Sequence, residues 1–191
     1  MNNKFIEILK RGGIGILPTD TLYALVGSAP SKGAVERIYR LRKRESKKPL
    51  IILISSLKDL NLFDIKISNQ LRKNLNNIWP GKISVILSCP LKKWSYLHRG
   101  IKTIAFRLPA KKRLIDILKK TGPLVAPSAN ISGMPPAKNV LEAKKYFGNK
   151  VDFYISAGKV VSGPSTLIEI NNGIIKIIRK GVVKISIKNI K

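Results

Sequence analysis

The apolar residues of this chain come in short runs, and that spacing limits the folds open to it. The longest run, residues 49–54, reads Pro-Leu-Ile-Ile-Leu-Ile. It suits a buried strand and falls far short of the roughly 18 residues that span a membrane. Between the runs, apolar residues recur at helical spacing, as at positions 34, 35, 38 and 41. Helices and strands alternate early and strands crowd together late, which predicts an α/β fold with a twisted, mixed β-sheet flanked by helices.

The individual elements follow from the same two periodicities. Strands are predicted at residues 14–17, 50–54, 83–87, 103–107, 153–155, 166–168, 174–178 and 182–187. Helices are predicted at residues 5–9, 31–43, 71–78, 114–118 and 140–147, with Ser31 as an N-cap and Gly148 ending the last one. No repeat or linker divides the sequence, so residues 1–191 are expected to form a single domain.

Basic residues outnumber acidic ones by 37 to 10, which gives a formal net charge of +27. Such a charge favours a polyanionic partner, either RNA or the phosphates of a nucleotide. A second explanation stays open, because lysine and isoleucine are both abundant, as in proteins from AT-rich genomes. Part of the lysine excess then reflects mutational bias on a solvated surface, and the arginines are the stronger indication of a ligand.

The rare residue types exclude several classes of protein. Cys89 is the single cysteine and His98 the single histidine, so an internal disulfide and a Cys/His zinc site are both excluded. Charged residues interrupt the apolar positions near the N-terminus, which therefore lacks the pattern of a signal peptide. These features predict a soluble, cytoplasmic protein with no membrane partner.

Two polar segments, each preceded by an apolar run, carry the strongest functional signal. Residues 18–23 read Pro-Thr-Asp-Thr-Leu-Tyr, and residues 126–133 read Ala-Pro-Ser-Ala-Asn-Ile-Ser-Gly. Proline ends the hydrogen-bonding ladder of a strand, and short hydroxyl and amide side chains supply donors and acceptors that lose little entropy on ordering. Either segment alone is also typical of an ordinary turn. Together they predict loops at strand ends that hold a polar ligand.

Basic residues at other predicted strand ends could complete a ligand site formed by such loops. Residues 41–50 place Arg42, Arg44 and Lys48 between a helix and a buried strand. Cations there can clamp phosphates, or can simply favour the negative C-terminal end of the helix. Strand alternation puts Arg107 on one face with Thr103. Because the chain has only 10 acidic residues, an anionic ligand is favoured over an ion pair as the partner of this arginine.

Missing motifs narrow the chemistry further. The chain has no GxxxxGK[ST] loop, which excludes a P-loop ATPase. Its glycines at positions 12, 13 and 15 precede a strand, whereas those of a dinucleotide-binding fingerprint follow one. A Ser/His/Asp triad would have to use His98, and no GxSxG elbow accompanies it.

Taken in order, these segments resemble the YrdC/YciO family, the L-threonylcarbamoyladenylate synthases of tRNA modification. The blocks that carry the resemblance cover nearly the whole chain and lie at residues 18–25, 42–50, 79–87, 98–109, 123–136, 163–170 and 177–181. The resemblance implies a YrdC-like domain, an α/β sheet around a deep, positively charged cavity. It also implies a nucleotidyltransferase that forms threonylcarbamoyl-AMP and pyrophosphate from L-threonine, bicarbonate and ATP. Mg²⁺ would assist with ATP, and no tightly bound organic cofactor is expected.

The same resemblance assigns roles to individual residues of the cavity. Arg42 and Arg44 would stabilise phosphate charge during catalysis, and no nucleophilic side chain or metal ligand is assigned. L-Threonine would contact Thr21, Tyr23, Arg107, Ala126 and Ser165, with Arg107 pairing with the carboxylate. ATP would contact Arg44, Lys48, Thr103, Ser128, Asn130 and Arg179. Whether Thr19 or Thr21 points into the cavity stays open at this point.

Several positions depart from the common pattern of the family. Arg42 stands where a lysine is usual, Lys48 where a small polar residue often lies, and Leu53 where some relatives place a threonine-contacting histidine. Ala24 and Lys82 replace a usual glycine and proline. These departures put individual contacts in question, above all those at positions 48 and 53, and leave the cavity as a whole intact.

Two partner expectations follow from the resemblance and the charge. Because the chain ends soon after its last motif, it should be of the single-domain type, which passes its product to a separate threonylcarbamoyl transferase complex. That complex modifies the adenosine next to the anticodon in tRNA. The alternative is an RNA-binding or ribosome-associated member without synthase activity, for which tRNA or double-stranded RNA would be the partner. The intact polar set at positions 21, 44, 128, 130 and 179 favours the enzyme.

Overall fold

The computed structural model describes residues 4–171 and 174–185. In those residues one mixed sheet forms the centre of the fold. Its strands, in chain order, are β1 (Ile14–Pro18), β2 (Tyr23–Ser28), β3 (Ile51–Leu53), β4 (Ile83–Ser88), β5 (Thr103–Arg107), β6 (Leu124–Val125), β7 (Phe153–Tyr154), β8 (Thr166–Asn171) and β9 (Ile174–Arg179). The predicted α/β class with a mixed sheet is therefore confirmed.

The helices come between these strands in the chain and pack against the sheet. They are α1 (Lys4–Lys10), α2 (Lys32–Arg42), α3 (Asn69–Ile78), α4 (Ser95–His98), α5 (Lys112–Thr121) and α6 (Val140–Phe147), with short 3-10 helices at Leu57–Phe63 and Lys92–Trp94. Ser31 accepts a hydrogen bond from the Ala34 N–H at the start of α2, and Gly148 ends α6, as the sequence predicts. Across the described ranges, none of these helices has the length and apolar character needed to cross a bilayer.

The strand order along the sheet is β7-β1-β2-β6-β3-β5-β4-β8-β9. Three neighbouring pairs are parallel, namely β1 with β7, β3 with β5 and β4 with β8, and the other neighbours are antiparallel. The short strand β6 therefore lies between β2 of the hairpin and β3, and β5 follows β3, although these strands are distant in the chain. This order brings the two polar motifs to one part of the sheet.

Alternation along the strands divides the core into two layers. On β2, Leu25 packs in the cluster that contains the apolar face of α2, whereas its neighbours Ala24 and Val26 pack with α1 and α5. Leu53 of β3 belongs to the α1–α5 layer. Arg107 lies beside Leu53 in the parallel register of β3 and β5, so its side chain leaves the sheet on that same face.

Two expectations about strands need correction. The predicted strand at 182–187 is wrong for residues 182–185, which are irregular, and the rest of it lies outside the described residues. There, the Val182 N–H donates to the Pro164 carbonyl in a loop, and the Val183 N–H donates to the side-chain hydroxyl of Thr166 rather than to the backbone of a strand. Strand β2 was not predicted, because it is buried on both faces and shows no polar alternation.

Gly181 lets the end of β9 approach the loop that precedes β8. A Cβ atom at this position would overlap the carbonyl oxygen of Pro164 and the backbone of Ser165 and Thr166. Backbone atoms cannot swing aside as a flexible side chain can. The glycine is therefore needed where Arg179 and Ser165 come together.

We expect Gly181→Ala to lower the free energy of unfolding by about 1–3 kcal/mol, because the new methyl group must push two backbone segments apart. The measurement is denaturant unfolding of the purified protein. Gly33→Ala is the matched control, since nothing lies within 4 Å of a Cβ at that helical position. It should raise stability by about 0.4–1 kcal/mol. Unchanged stability in Gly181→Ala would contradict the close approach.

Candidate active site

A cavity of about 220 Å³ opens on the sheet where the β1–β2 hairpin, the segment after β6 and the end of β9 converge. Apolar side chains of the strands form part of its wall, among them Ala24, Ile51, Ile86, Ala105 and Leu167. The polar and charged residues that line it are Thr19, Thr21, Tyr23, Arg42, Arg44, Thr103, Arg107, Ser128, Ser165 and Arg179. This combination of apolar wall and few convergent polar groups is typical of a small-molecule site.

The two polar motifs form adjacent parts of this wall. The Leu25 N–H donates to the Pro127 carbonyl at 3.0 Å, and the Ala129 N–H donates to the Tyr23 carbonyl at 2.8 Å. A bridge between Ala24 and Ser128 joins the same segments. Backbone hydrogen bonds thus hold the motifs together, and their hydroxyl groups converge on the cavity.

Both threonines of the hairpin turn line the cavity, which answers the question left open by the sequence. The Thr19 hydroxyl donates to the Leu22 carbonyl at 2.7 Å and accepts from the N–H groups of Thr21 and Leu22. A hydroxyl has one proton to donate, so in the 3.0 Å contact between the two threonines Thr21 must be the donor. Thr19 therefore shapes the turn and orients the hydroxyl of Thr21.

Arg107 forms a buried ion pair that the sequence analysis did not anticipate. Its Nη1 lies 2.6 Å from Oδ1 of Asp20, and the two side chains are 4% and 8% exposed. Its Nη2 makes a long contact of 3.4 Å with the Thr21 hydroxyl, and its Nε is buried without a hydrogen-bond partner. The expectation that a ligand was favoured over an ion pair at this arginine is thus wrong for Nη1, which Asp20 occupies.

Arg42 is buried and holds the loop after β6. Its Nε donates to the Asn130 carbonyl at 3.0 Å, and its Nη2 donates to the Asn130 side-chain oxygen at 2.9 Å. The carbonyl of Arg42 accepts from the Ser132 N–H at 2.7 Å. Nη2 also approaches the Ser128 hydroxyl at 3.3 Å. The C-terminal end of α2 and the second polar motif are therefore joined by a fork of donors that lysine does not have.

Arg44 and Arg179 are held by neutral oxygens. Arg44 donates to the carbonyls of Lys48 and Pro49 at 3.1 and 3.2 Å. Arg179 donates to the Ser165 carbonyl at 2.8 Å, and the Ser165 hydroxyl lies 2.9 Å from that of Ser84. Among the described residues, neither arginine has a carboxylate within ion-pair distance.

The pKa values of the cavity arginines reflect burial and mutual repulsion. Burial, together with the charge of Arg44, lowers the pKa of Arg42 to about 10. Burial and the charges of Arg44 and Arg107 also lower the pKa of Arg179. Burial lowers the pKa of Arg107, and the Asp20 carboxylate opposes that change. At a pKa near 10 Arg42 remains protonated at neutral pH, so its charge is available to an anion.

Most of the predicted site residues lie together, and two do not. Ten of them line the cavity, namely Thr21, Tyr23, Arg42, Arg44, Thr103, Arg107, Ala126, Ser128, Ser165 and Arg179. Lys48 lies outside that lining, and its exposed ammonium group pairs with Glu45 at 2.9 Å. Asn130 also lies outside it and accepts from Arg42. The roles assigned to all of these residues stay predictions.

Tyr23 belongs to the cavity lining, but its hydroxyl group is already hydrogen-bonded within the protein. That hydroxyl donates to the Gly158 carbonyl at 2.7 Å and accepts from the Ala157 N–H at 2.9 Å.

Sequence reasoning did not assign Thr19 and Asp20 to the site. The Thr-Asp-Thr tripeptide could have indicated them, because its side chains hydrogen-bond within the turn and Asp20 contacts Arg107.

The donor set of the cavity suits anions better than a resident metal ion. Its oxygen donors are hydroxyl groups and backbone carbonyls, and no carboxylate belongs to the lining in the described part of the chain. Likewise, within those residues, no three His, Cys, Asp or Glu side chains come together at metal-binding positions. Mg²⁺ is commonly held by one or two carboxylates plus substrate phosphates. These residues therefore do not fit a metal ion bound by the protein alone.

Fold and cavity together define an α/β protein with a pocket lined by arginine and hydroxyl groups. The model of the Sua5/YciO/YrdC family, described as "Telomere recombination", matches residues 7–181. A threonylcarbamoyl-AMP synthase of Thiobacillus denitrificans is 30% identical over 179 residues, which are 90% of this chain and 90% of that protein. The chain belongs to the Sua5/YciO/YrdC family, and the resemblance inferred from its motifs is confirmed.

Solved structures of this family share the fold. Pyrococcus abyssi Sua5 complexed with L-threonine superposes with a TM-score of 0.86 at 27% identity, over 94% of this chain. The match covers 53% of that protein, so this chain spans about half the length of the Pyrococcus relative. Escherichia coli YciO has a TM-score of 0.85 at 26% identity, over 97% of this chain and 91% of YciO.

We expect Arg42→Lys to lower the free energy of unfolding by about 1–3 kcal/mol, because Arg42 donates to the two oxygens of Asn130 from two nitrogens of its fork, and a single ammonium nitrogen does not match that geometry. Urea unfolding measures the change. Arg40→Lys, at an exposed position of the same helix, is the matched control and should alter stability by less than about 0.5 kcal/mol. Equal losses in the two variants would show that the fork contributes nothing.

Proposed function

We propose that this chain is an L-threonylcarbamoyladenylate synthase, a nucleotidyltransferase that forms threonylcarbamoyl-AMP and pyrophosphate from L-threonine, bicarbonate and ATP. One observation carries the proposal: a single cavity holds three arginines that have no acidic partner among the described residues, one arginine paired with a carboxylate, and several hydroxyl groups. Arg42, Arg44 and Arg179 are the arginines without an acidic partner, and Arg107, which pairs with Asp20, contacts Thr21. Such a cavity suits a triphosphate beside an amino acid.

The reaction needs positioning and charge stabilisation more than a nucleophilic side chain. The amine of threonine adds to bicarbonate and water is lost, which gives a carbamate. A carbamate oxygen then attacks the α-phosphorus of ATP, and the bond to pyrophosphate breaks with its electrons leaving on pyrophosphate. Fixed guanidinium groups favour the charge that builds on the leaving group. The rest of the rate acceleration comes from holding the two anionic reactants together, because this removes the entropy cost of their encounter.

The individual contacts follow from what each side chain has left to donate. We assign the phosphates of ATP to Arg44 and Arg179, with Ser128 and Thr103 as neutral donors, and the carboxylate of threonine to Arg107. Arg42 adds positive charge, while its Nε and Nη2 are committed to Asn130. Asn130 then acts on ATP through the shape of its loop, and Lys48 acts at most at the rim, where its ammonium group pairs with Glu45.

Mg²⁺ enters this proposal as part of the ATP substrate. The nucleotide phosphates and water would supply most of its ligands, since the cavity lining described here offers no carboxylate. No step of the reaction is assigned to a metal ligand of the protein.

The product would be used in the threonylcarbamoyladenosine modification of tRNA next to the anticodon. Threonylcarbamoyl-AMP is a reactive mixed anhydride, so a separate transferase complex that takes it up directly is the partner we propose. The net charge of +27 also favours contact with RNA. RNA binding without synthase activity is the second candidate function, and that charge is the observation in its favour.

We expect pyrophosphate release from ATP and Mg²⁺ only when L-threonine and bicarbonate are both present, because the carbamate is the attacking group. The measurement is a coupled pyrophosphate assay with each reactant omitted in turn. Release that ignores threonine, or no release from a folded protein, would overturn the synthase. The same preparation should then bind tRNA with a steep salt dependence if the second candidate is correct.

Arg107→Ala is expected to weaken L-threonine binding by about 10- to 150-fold, since a charge-assisted hydrogen bond contributes roughly 1.5–3 kcal/mol. Isothermal titration calorimetry with threonine measures the affinity. Arg72→Ala removes the same charge from an exposed position on α3 and should leave it unchanged. Wild-type affinity in a folded Arg107→Ala protein would refute the role of this arginine.

A further inference from the structure

The four cavity arginines fall into two classes according to what holds them. Arg42, Arg44 and Arg179 donate to carbonyl, amide or hydroxyl oxygens, all of which are neutral. Arg107 alone donates to a carboxylate, at 2.6 Å from Asp20. In the ion pairs of the described residues, no other cavity arginine takes part. The cavity therefore combines three uncompensated cations with one that is compensated.

Asp20 is one of only 10 acidic residues in this chain, which has 37 basic ones. Its carboxylate is 8% exposed, so solvent screens its attraction to Arg107 weakly. The other carboxylate oxygen accepts from the Ala110 N–H at 3.3 Å, which ties Asp20 to the segment that follows β5. A buried acid held from two sides is a fixed charge rather than a mobile surface group.

Pairing an arginine with a carboxylate affects the binding of phosphate groups and the binding of an amino acid differently. A phosphate group carries between one and two negative charges at neutral pH and is attracted most by cations that have no partner. An amino acid is a zwitterion without net charge, so a compensated arginine can still donate to its carboxylate. If Arg107 were also uncompensated, phosphate groups would compete with the amino acid for it.

We propose that Asp20 is a specificity-determining residue that keeps phosphate groups away from Arg107, the arginine assigned to the amino acid. It acts through Arg107: it cancels the charge of the guanidinium group and fixes the direction of its remaining N–H donors. The inference rests on the proposed function, because it takes Arg107 as part of the amino-acid subsite. Asp20 itself is outside the cavity lining, so it is a positioning residue.

The test measures binding of inorganic phosphate to the full-length chain by isothermal titration calorimetry at low salt. Asp20→Asn keeps an oxygen for Arg107 and removes the charge, and it should bind phosphate at least about tenfold more tightly than the wild type. Adding Arg107→Met to that variant restores the wild-type net charge. The double variant should bind phosphate within about twofold of the wild type.

Two results would overturn the proposal. One is an Asp20→Asn protein with the phosphate affinity of the wild type. The other is a double variant that binds phosphate at least about tenfold more weakly than the wild type, because Arg107 would then bind phosphate despite Asp20. This second comparison decides the matter even if Asp20→Asn does not fold. Asp64→Asn, which removes an equal charge from the exposed pair with Lys93, is the matched control and should match the wild type.

The phosphate titration separates this inference from the proposed function. It needs neither threonine nor turnover, so a failed pyrophosphate assay leaves its outcome unaffected. A competition titration completes the design: phosphate should displace ATP from the wild type without displacing L-threonine, whereas it should displace both from Asp20→Asn. Equal displacement of threonine from the wild type would contradict the role of Asp20.

Discussion

Four guanidinium groups around one cavity repel each other, and most of the local structure serves to hold them in place. The lowered pKa values of Arg42 and Arg179 record that repulsion, since burial and neighbouring arginines both oppose the charge. Each group is fixed by acceptors on a different segment. Asn130 holds Arg42, the carbonyls of 48 and 49 hold Arg44, Asp20 holds Arg107, and Ser165 holds Arg179. The irregular loops at these positions therefore supply the carbonyl and carboxylate oxygens that accept from the four guanidinium groups.

Local patterns accounted for much of this arrangement. Alternation along β5 was enough to place Thr103 and Arg107 on one face, and both line the cavity. The resemblance to a family supplied the residues at the ends of β2, β6 and β9, which periodicity could not join. Strand β2 escaped prediction because a strand buried on both faces has no polar alternation. Residues 182–185 have strand-like composition, but their backbone bonds with a loop and a side chain instead.

The ion pair of Arg107 could not be predicted from the sequence pattern. Its partner Asp20 is 87 positions away, and they meet only because the hairpin of β1 and β2 lies near the end of β5. Nothing in the spacing of either residue indicates that contact. The pair of Lys48 and Glu45, by contrast, is three positions apart, so local spacing alone could have suggested that Lys48 had a partner. Long-range contacts of charged groups need the sheet order, which the sequence pattern does not determine.

The position of Arg179 on β9 has a consequence for how the cavity is assembled during synthesis. Every other cavity arginine precedes it in the chain, and the hydroxyl-bearing hairpin at residues 19–22 emerges from the ribosome long before it. Until β9 pairs with β8, Ser165 does not have Arg179 beside it and the cavity lacks one of its arginines. A nascent chain can thus bring Arg107 to the hairpin while the set of cavity arginines is still incomplete. Synthesis and pairing of β9, rather than folding of the hairpin, is therefore the step that completes the cavity.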